Sequence, residues 1–207
     1  LPRMVHVAFC RSPFAHAKFG AINSEAAKAA SGIISVVTGR ELAEYCTPWV
    51  GVLTHLQGLK SAPQHAIALD KACWQGEAVV AVIAETRSQA EDAVELVEID
   101  YQELPVVADM ETALDDATPV IHSDLGDNLC FQREVDIGEV DKAFADAHCV
   151  VEETFNFGRH TGVCLETRAI IADYNPAEEH LTVYLSAQAP HMMKNLYAKH
   201  FGLNEDK

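Results

Sequence analysis

Seven consecutive apolar residues, Ala78-Val79-Val80-Ala81-Val82-Ile83-Ala84, constrain this chain more than any other segment. The run is too short for a core helix, far short of the ~20 residues that span a bilayer, and lacks the alternation of a half-exposed strand. It predicts a strand covered on both faces, and therefore a domain able to supply cover on two sides. The residues immediately downstream agree with that. Thr86 is placed to cap a helix over Arg87–Glu95, whose Ala90, Ala93 and Val94 form a core-facing stripe. Val97, Ile99 and Tyr101 then alternate with Glu98, Asp100 and Gln102 as a half-exposed strand, which Leu104-Pro105 stops.

Upstream lies a similar unit. Met4–Arg11 has the β-branched and aromatic character of a strand, Ser12-Pro13 breaks it, and Lys18–Asn23 resumes extended form. Ser24 is expected to cap a short helix, Glu25–Ala30. Gly32 stands next, where a left-handed residue is needed, and Ile33–Thr38 is a second β-branched strand. Tyr45–His65 carries Pro48 and Pro63 without any sustained period, and is expected to be a surface excursion.

After a linker-like stretch the pattern changes. Phe131–Val135 is expected as a strand, Glu139–Ala145 as a short helix, and His148–Phe157 as a long alternating strand with Val150, Glu152, Thr154 and Asn156 on one face. Glu166–Tyr174 and Leu181–Ser186 should pair as a hairpin around the turn-rich Asn175–Glu179. Pro190 opens a helix over His191–Phe201 that Gly202 ends. The whole is an α+β chain. It begins at Leu1 without Met and ends just after this helix, so it is expected to be an internal piece, with this second region cut short.

Charge narrows the partners. Thirty-one acidic against 15 basic side chains in 207 residues give a net charge of −16, the wrong sign for a phosphate-binding surface, which excludes bare nucleic acid and anionic lipid. No segment spans a membrane or resembles a signal peptide. The six cysteines, Cys10, Cys46, Cys73, Cys130, Cys149 and Cys164, are scattered without C-x-x-C spacing; they are expected to be free, mostly buried residues in a reducing, cytoplasmic compartment. The ten histidines show no zinc-hydrolase spacing, and His6, His55, His65, His122, His148, His180 and His200 are expected at the surface or in packing. Neither a phosphate-binding glycine loop nor a nucleophile elbow is present.

Two strings are unusual. In Arg11-Ser12-Pro13-Phe14-Ala15-His16-Ala17, Arg11 and His16 are placed to pin a turn by hydrogen bonds to carbonyls or a carboxylate. In Ser186-Ala187-Gln188-Ala189-Pro190-His191, a neutral amide sits where a strand ends and a helix begins, and free backbone N–H groups there receive anionic or oxo groups. A plain capping role for Gln188 is one reading; glutamine is a poor N-cap, which shifts weight towards a ligand contact.

Together with Gly32–Thr38, Gly76–Glu85, Val97–Asp109, Leu165-Glu166 with Arg168, and Leu181–Pro190, these strings resemble the large, molybdopterin-binding subunit of the xanthine dehydrogenase and aldehyde oxidase family, including its carbon monoxide dehydrogenase branch. The resemblance implies an α/β hammerhead domain over residues 1–109, a linker over 110–128, and over 129–207 the beginning of the first molybdopterin-binding domain. It implies a molybdenum–molybdopterin cofactor, as the cytosine dinucleotide form in bacteria. The implied reaction is oxidation of an aldehyde, an N-heterocycle or carbon monoxide with water-derived oxygen.

By the same resemblance, electrons pass to a 2Fe-2S small subunit and an FAD-binding medium subunit in a dimer of heterotrimers, and the substrate is a small molecule. Gln188 matches the family glutamine that hydrogen-bonds the oxo ligand of molybdenum, and serves as both the catalytic and the cofactor-binding candidate. Glu166 and Arg168 match a motif read as structural, as a buried ion pair. Arg11, His16, Gly76 and Glu77 match motifs of hammerhead integrity, and Cys164 stands where many relatives have proline. The family's active-site glycine-rich loop and glutamate base have no counterpart in residues 1–207, so this segment alone is expected to be inactive. The alternative is a cofactor-free interaction module derived from the family; a Cys/His zinc protein is disfavoured by the spacings.

Overall fold

A computed structural model describes residues 2–51, 53, 55–158 and 160–207. In the first half, β1 (His6–Arg11), β2 (Ala17–Asn23), α1 (Glu25–Ala29), β3 (Ile33–Thr38), α2 (Gly39–Leu42), β4 (Lys71–Ala72), β5 (Ala78–Ala84), α3 (Arg87–Val94) and β6 (Glu98–Glu103) occur in order. The apolar run is β5, the centre of an antiparallel sheet ordered β1-β5-β3, with Cys10 and Thr38 both opposite Val80. Val79, Val80 and Val82 are fully buried, and each such side chain removed from water contributes roughly 1.5–3 kcal/mol. Their core takes in Cys10, Phe19, Ala27, Val36 and Ala93, so strands and helices share one apolar cluster.

Local chemistry explains the helix ends. Thr86 Oγ1 accepts the Gln89 N–H at 3.3 Å, capping α3 as the sequence implies, and Ala90 and Ala93 are its buried face. Ser24 does not cap α1: its side chain is buried, and the Asn23 Oδ1 accepts the Glu25 N–H instead. The short α2 is an element that periodicity does not reveal, although Thr38-Gly39-Arg40-Glu41 carries a capping-box spacing. The Glu41 carboxylate receives both the N–H and the hydroxyl of Thr38, which holds its pKa below the ordinary value.

A second sheet, ordered β4-β2-β6, sets Ala17 between Ala72 and Glu103. The two-residue β4 is too short to leave a periodic signal. The excursion over Tyr45–His65 is closed at its stem, where Trp49 and Gln64 exchange backbone hydrogen bonds of 2.8 and 2.7 Å. Val52 and Thr54, inside it, lie outside the described residues.

The stretch 110–128 is stitched down rather than free. Lys71 Nζ donates to the Ile121 carbonyl at 2.6 Å, Lys60 Nζ bonds Asp127 at the same distance, and Asn128 donates to the Ala113 and Pro119 carbonyls. Lys60 holds the Asp127 carboxyl below its ordinary pKa.

In the second half, α4 (Val140–Asp146), β7 (Ile170–Asn175), β8 (His180–Leu185) and α5 (Pro190–Phe201) are present. β7 and β8 form the expected antiparallel hairpin, but its first strand starts at Ile170 and not at Glu166, residues 166–169 being irregular, and Gly202, at φ 66°, ends α5 in the left-handed region. The strands expected over Phe131–Val135 and His148–Phe157 do not form. Those residues are irregular and mostly exposed, with no neighbouring strand among the described residues to complete a ladder. The cysteine expectation is also corrected: only Cys10 is buried, Cys46 and Cys73 are half-buried, and Cys130, Cys149 and Cys164 are exposed because the elements around them lack cover.

Candidate functional site

The ladder between β7 and β8 closes at Ile170 opposite Leu185. From Ser186 the chain leaves the sheet, bends at Gln188 and starts α5 at Pro190. Ala189, at the N-cap position, offers no side-chain acceptor, and Pro190 has no N–H. Met193 N–H bonds the Ala189 carbonyl at 3.0 Å, and helical geometry leaves the N–H groups of His191 and Met192 without intrahelical acceptors. Gln188 is exposed and its amide makes no hydrogen bond among the described residues.

A neutral amide beside two free backbone donors is a donor set for an acceptor-rich, oxo- or phosphate-bearing group. It carries no charge, and a single amide oxygen is too few ligands to hold a bare cation. Among the described residues no three His, Cys, Asp or Glu side chains are grouped to hold a metal ion. The residues therefore fit a group that brings its own metal ligands and needs acceptors satisfied.

Glu166 lies beside this bend. Its Oε1 accepts the Ser186 hydroxyl at 2.7 Å, joining two strings 20 residues apart. The expected ion pair is corrected: Glu166 and Arg168 are both exposed, no salt bridge joins them among the described residues, and the carboxylate is engaged by Ser186. Cys164 and Leu165 are exposed as well. Behind the bend, a cavity of about 320 Å³ runs between β8 and α5, lined mainly by Leu181, Val183, Leu185, Met193, Tyr197 and Leu203; burial there pushes the Tyr197 phenol pKa up. Gln188 does not line it. Its lining is mainly apolar, with Lys194, Glu205, Asp206 and Lys207 as the charged members.

The other sequence candidates gather around the turns that join β1 to β2 and β4 to β5. Arg11 donates to the Gly76 carbonyl at 2.8 Å, and His16 Nδ1 bonds the Pro105 carbonyl at 2.7 Å, so both pin the turn through carbonyls as their types imply. Gly76, at φ 90°, makes the turn that lets Glu77 accept the Cys73 N–H at 2.7 Å. Burial outweighs that hydrogen bond and raises the Glu77 pKa.

Sequence reasoning misses a polar cleft of about 280 Å³ that gathers Asp70, Lys71, Cys73, Trp74, Glu77 and His122. Burial, with Lys71 and His16 adding to it, lowers the His122 pKa, and burial raises that of the Cys73 thiol. His122 comes from the linker and Lys71 from β4, a pairing with no local signal.

Residues 1–105 match the family described as aldehyde oxidase and xanthine dehydrogenase, a/b hammerhead domain, and residues 121–207 match the molybdopterin cofactor-binding domain. The nicotine 6-hydroxylase large subunit of Paenarthrobacter nicotinovorans is 33% identical over 203 residues, covering 98% of this chain and 25% of that one. The carbon monoxide dehydrogenase large chain of Hydrogenophaga pseudoflava is 31% identical over 220 residues, covering all of this chain and 27% of that one. The crystal structure of quinoline 2-oxidoreductase from Pseudomonas putida 86 superposes with a TM-score of 0.93 at 30% identity, over all of this chain and 26% of that one. The chain thus spans about a quarter of the length of these relatives.

Proposed function

The chain belongs to the aldehyde oxidase and xanthine dehydrogenase family of molybdopterin proteins, and from that premise we propose that it forms part of the large subunit of a molybdenum hydroxylase. The enzyme oxidises an aldehyde, an N-heterocycle or carbon monoxide with oxygen derived from water, in the cytoplasm. Residues 1–109 form its hammerhead domain, 110–128 a connecting segment, and 129–207 the first part of a molybdopterin-binding domain. Electrons leave through a 2Fe-2S small subunit and an FAD-binding medium subunit, in a dimer of heterotrimers.

The observation that carries this reading is the placement of Gln188, a neutral amide at the strand-to-helix bend with no hydrogen-bond partner among the described residues. When bound, the molybdenum–molybdopterin group, in its cytosine dinucleotide form if the enzyme is bacterial, supplies the electron-accepting centre of the oxidation. Gln188 would hold that group by donating its amide N–H to an oxo oxygen, and the free N–H groups of His191 and Met192 add donors of the same neutral kind. Because the amide has no charge, it orients the acceptor without altering the charge balance at the metal. The catalytic base belongs to another part of the large subunit.

In the full-length enzyme, Gln188→Ala is expected to lower turnover roughly tenfold, the lower end for loss of an outer-shell partner. Its thermal unfolding should match the wild type, since an exposed side chain is removed; unchanged kinetics would overturn the role. Elemental analysis of the enzyme from its own cells should find near-stoichiometric molybdenum with co-purifying iron. Clean protein with neither metal would instead establish a cofactor-free module.

A further inference from the structure

We infer that Glu166 and Ser186 form a positioning pair that fixes the bend carrying Gln188, an inference that rests on the role of Gln188 as a cofactor contact. Backbone pairing with β7 stops at Leu185, and intrahelical bonding resumes only where Met193 N–H meets the Ala189 carbonyl. Residues 186–188 cross that gap without a ladder. Their one side-chain tether among the described residues is the 2.7 Å hydrogen bond from Ser186 Oγ to Glu166 Oε1. Ala187 and Ala189 flank Gln188 and have no polar side chains with which to anchor it.

Geometry makes the tether matter at Gln188. Two residues of extended chain span at most about 7 Å, so a backbone rotation at Ser186 is carried almost undamped to the Gln188 amide. Among the described residues this hydrogen bond is the one side-chain hold these residues have, and what it requires at position 166 is an acceptor oxygen. Glu166 acts at a remove: its carboxylate is an acceptor and an anion, the wrong partner for an oxo or phosphate oxygen, and its bonded oxygen already faces Ser186. The pair therefore sets where Gln188 points and does not itself touch the cofactor.

The test uses the complete enzyme with its partner subunits, reading molybdenum retained per chain after gel filtration and the molybdenum(V) electron paramagnetic resonance signal after dithionite reduction. Gln188→Ala should change the signal. Glu166→Ala and Ser186→Ala should shift it in the same direction and lower retained molybdenum about fivefold, equivalent to one net hydrogen bond. Glu166→Gln, which keeps an acceptor oxygen, should restore both readouts, and Glu166→Ala combined with Gln188→Ala should match Gln188→Ala alone. Ser186→Ala removes one exposed hydroxyl and decides the matter if Glu166→Ala does not accumulate. An unchanged signal in Gln188→Ala overturns the reading of Gln188 and this inference with it. A signal altered in Gln188→Ala but wild-type in Ser186→Ala, or additive effects in the double variant, overturns the positioning pair alone.

Discussion

Val80 and Val151 are the same residue type in segments that both carry strand character, yet the first is sealed in the sheet core and the second is 78% exposed. The difference lies in their neighbours. Val80 sits on a central strand with a ladder on each side, one to Cys10 and one to Thr38, and a helix layer over it. Val151 lies in a stretch with no strand beside it among the described residues. β-propensity is a fitness for a pleated, half-buried surface, and it has an effect only where such a surface is present.

The contrast can be broken by charge. Val80→Asp should cost roughly 3–5 kcal/mol, the penalty for an uncompensated buried charge, and lower Tm by about 10 °C or more; Val151→Asp should stay within about 0.5 kcal/mol. Equal thermal shifts in the two variants would remove the distinction between the halves. A smaller effect probes how closely the first half is packed. A Cβ on Gly39 would collide with the Ala68 and Ile67 carbonyls, so Gly39→Ala should destabilise by about 1–3 kcal/mol in denaturant unfolding, and a wild-type midpoint would contradict that close approach. Thr86→Ala should cost about 1 kcal/mol by leaving the Gln89 N–H uncapped, seen as faster amide exchange in the first turn of α3.

The smallest effect is electrostatic. His122 is held below its ordinary pKa of 6.5 by burial, Lys71 and His16, with Asp124 opposing them. Between that lowered value and 6.5 the unfolded chain binds more protons, so stability is complete above pH 6.5 and falls as pH drops through the native value. Tm measured from pH 7.5 downwards should show that slope, and His122→Asn should flatten it. Glu77 works in the opposite sense at lower pH: its raised pKa means that stability declines as pH rises from 4.5 through the native value.

The same contrast governs what is legible in the sequence. β5, α3, the β7–β8 hairpin and α5 can all be read because an apolar run, a period, a cap or a turn lies inside each of them. The Thr86 cap and the Gly202 stop are local chemistry, as are the Arg11 and His16 pins. The polar cleft cannot be read, because Lys71 and His122 meet only through the stitching of 110–128. The strand expected over His148–Phe157 fails for the opposite reason: its alternation is real, but alternation carries no information about a neighbour. Gln188 is visible as an awkward residue at a junction, whereas its tether to Glu166 needs the register of the hairpin.

Thr47 and His200 meet twice, through the Thr47 N–H on the His200 carbonyl at 3.1 Å and through Thr47 Oγ1 and His200 Nδ1 at 3.0 Å, across 153 residues of chain. Closing a loop that long carries its full entropic cost before either hydrogen bond forms, so this clasp belongs to the last events of folding. A chain leaving the ribosome would complete the sheet around β5 with α5 still undocked, and the helix that succeeds Gln188 would settle only after the scaffold that receives it exists.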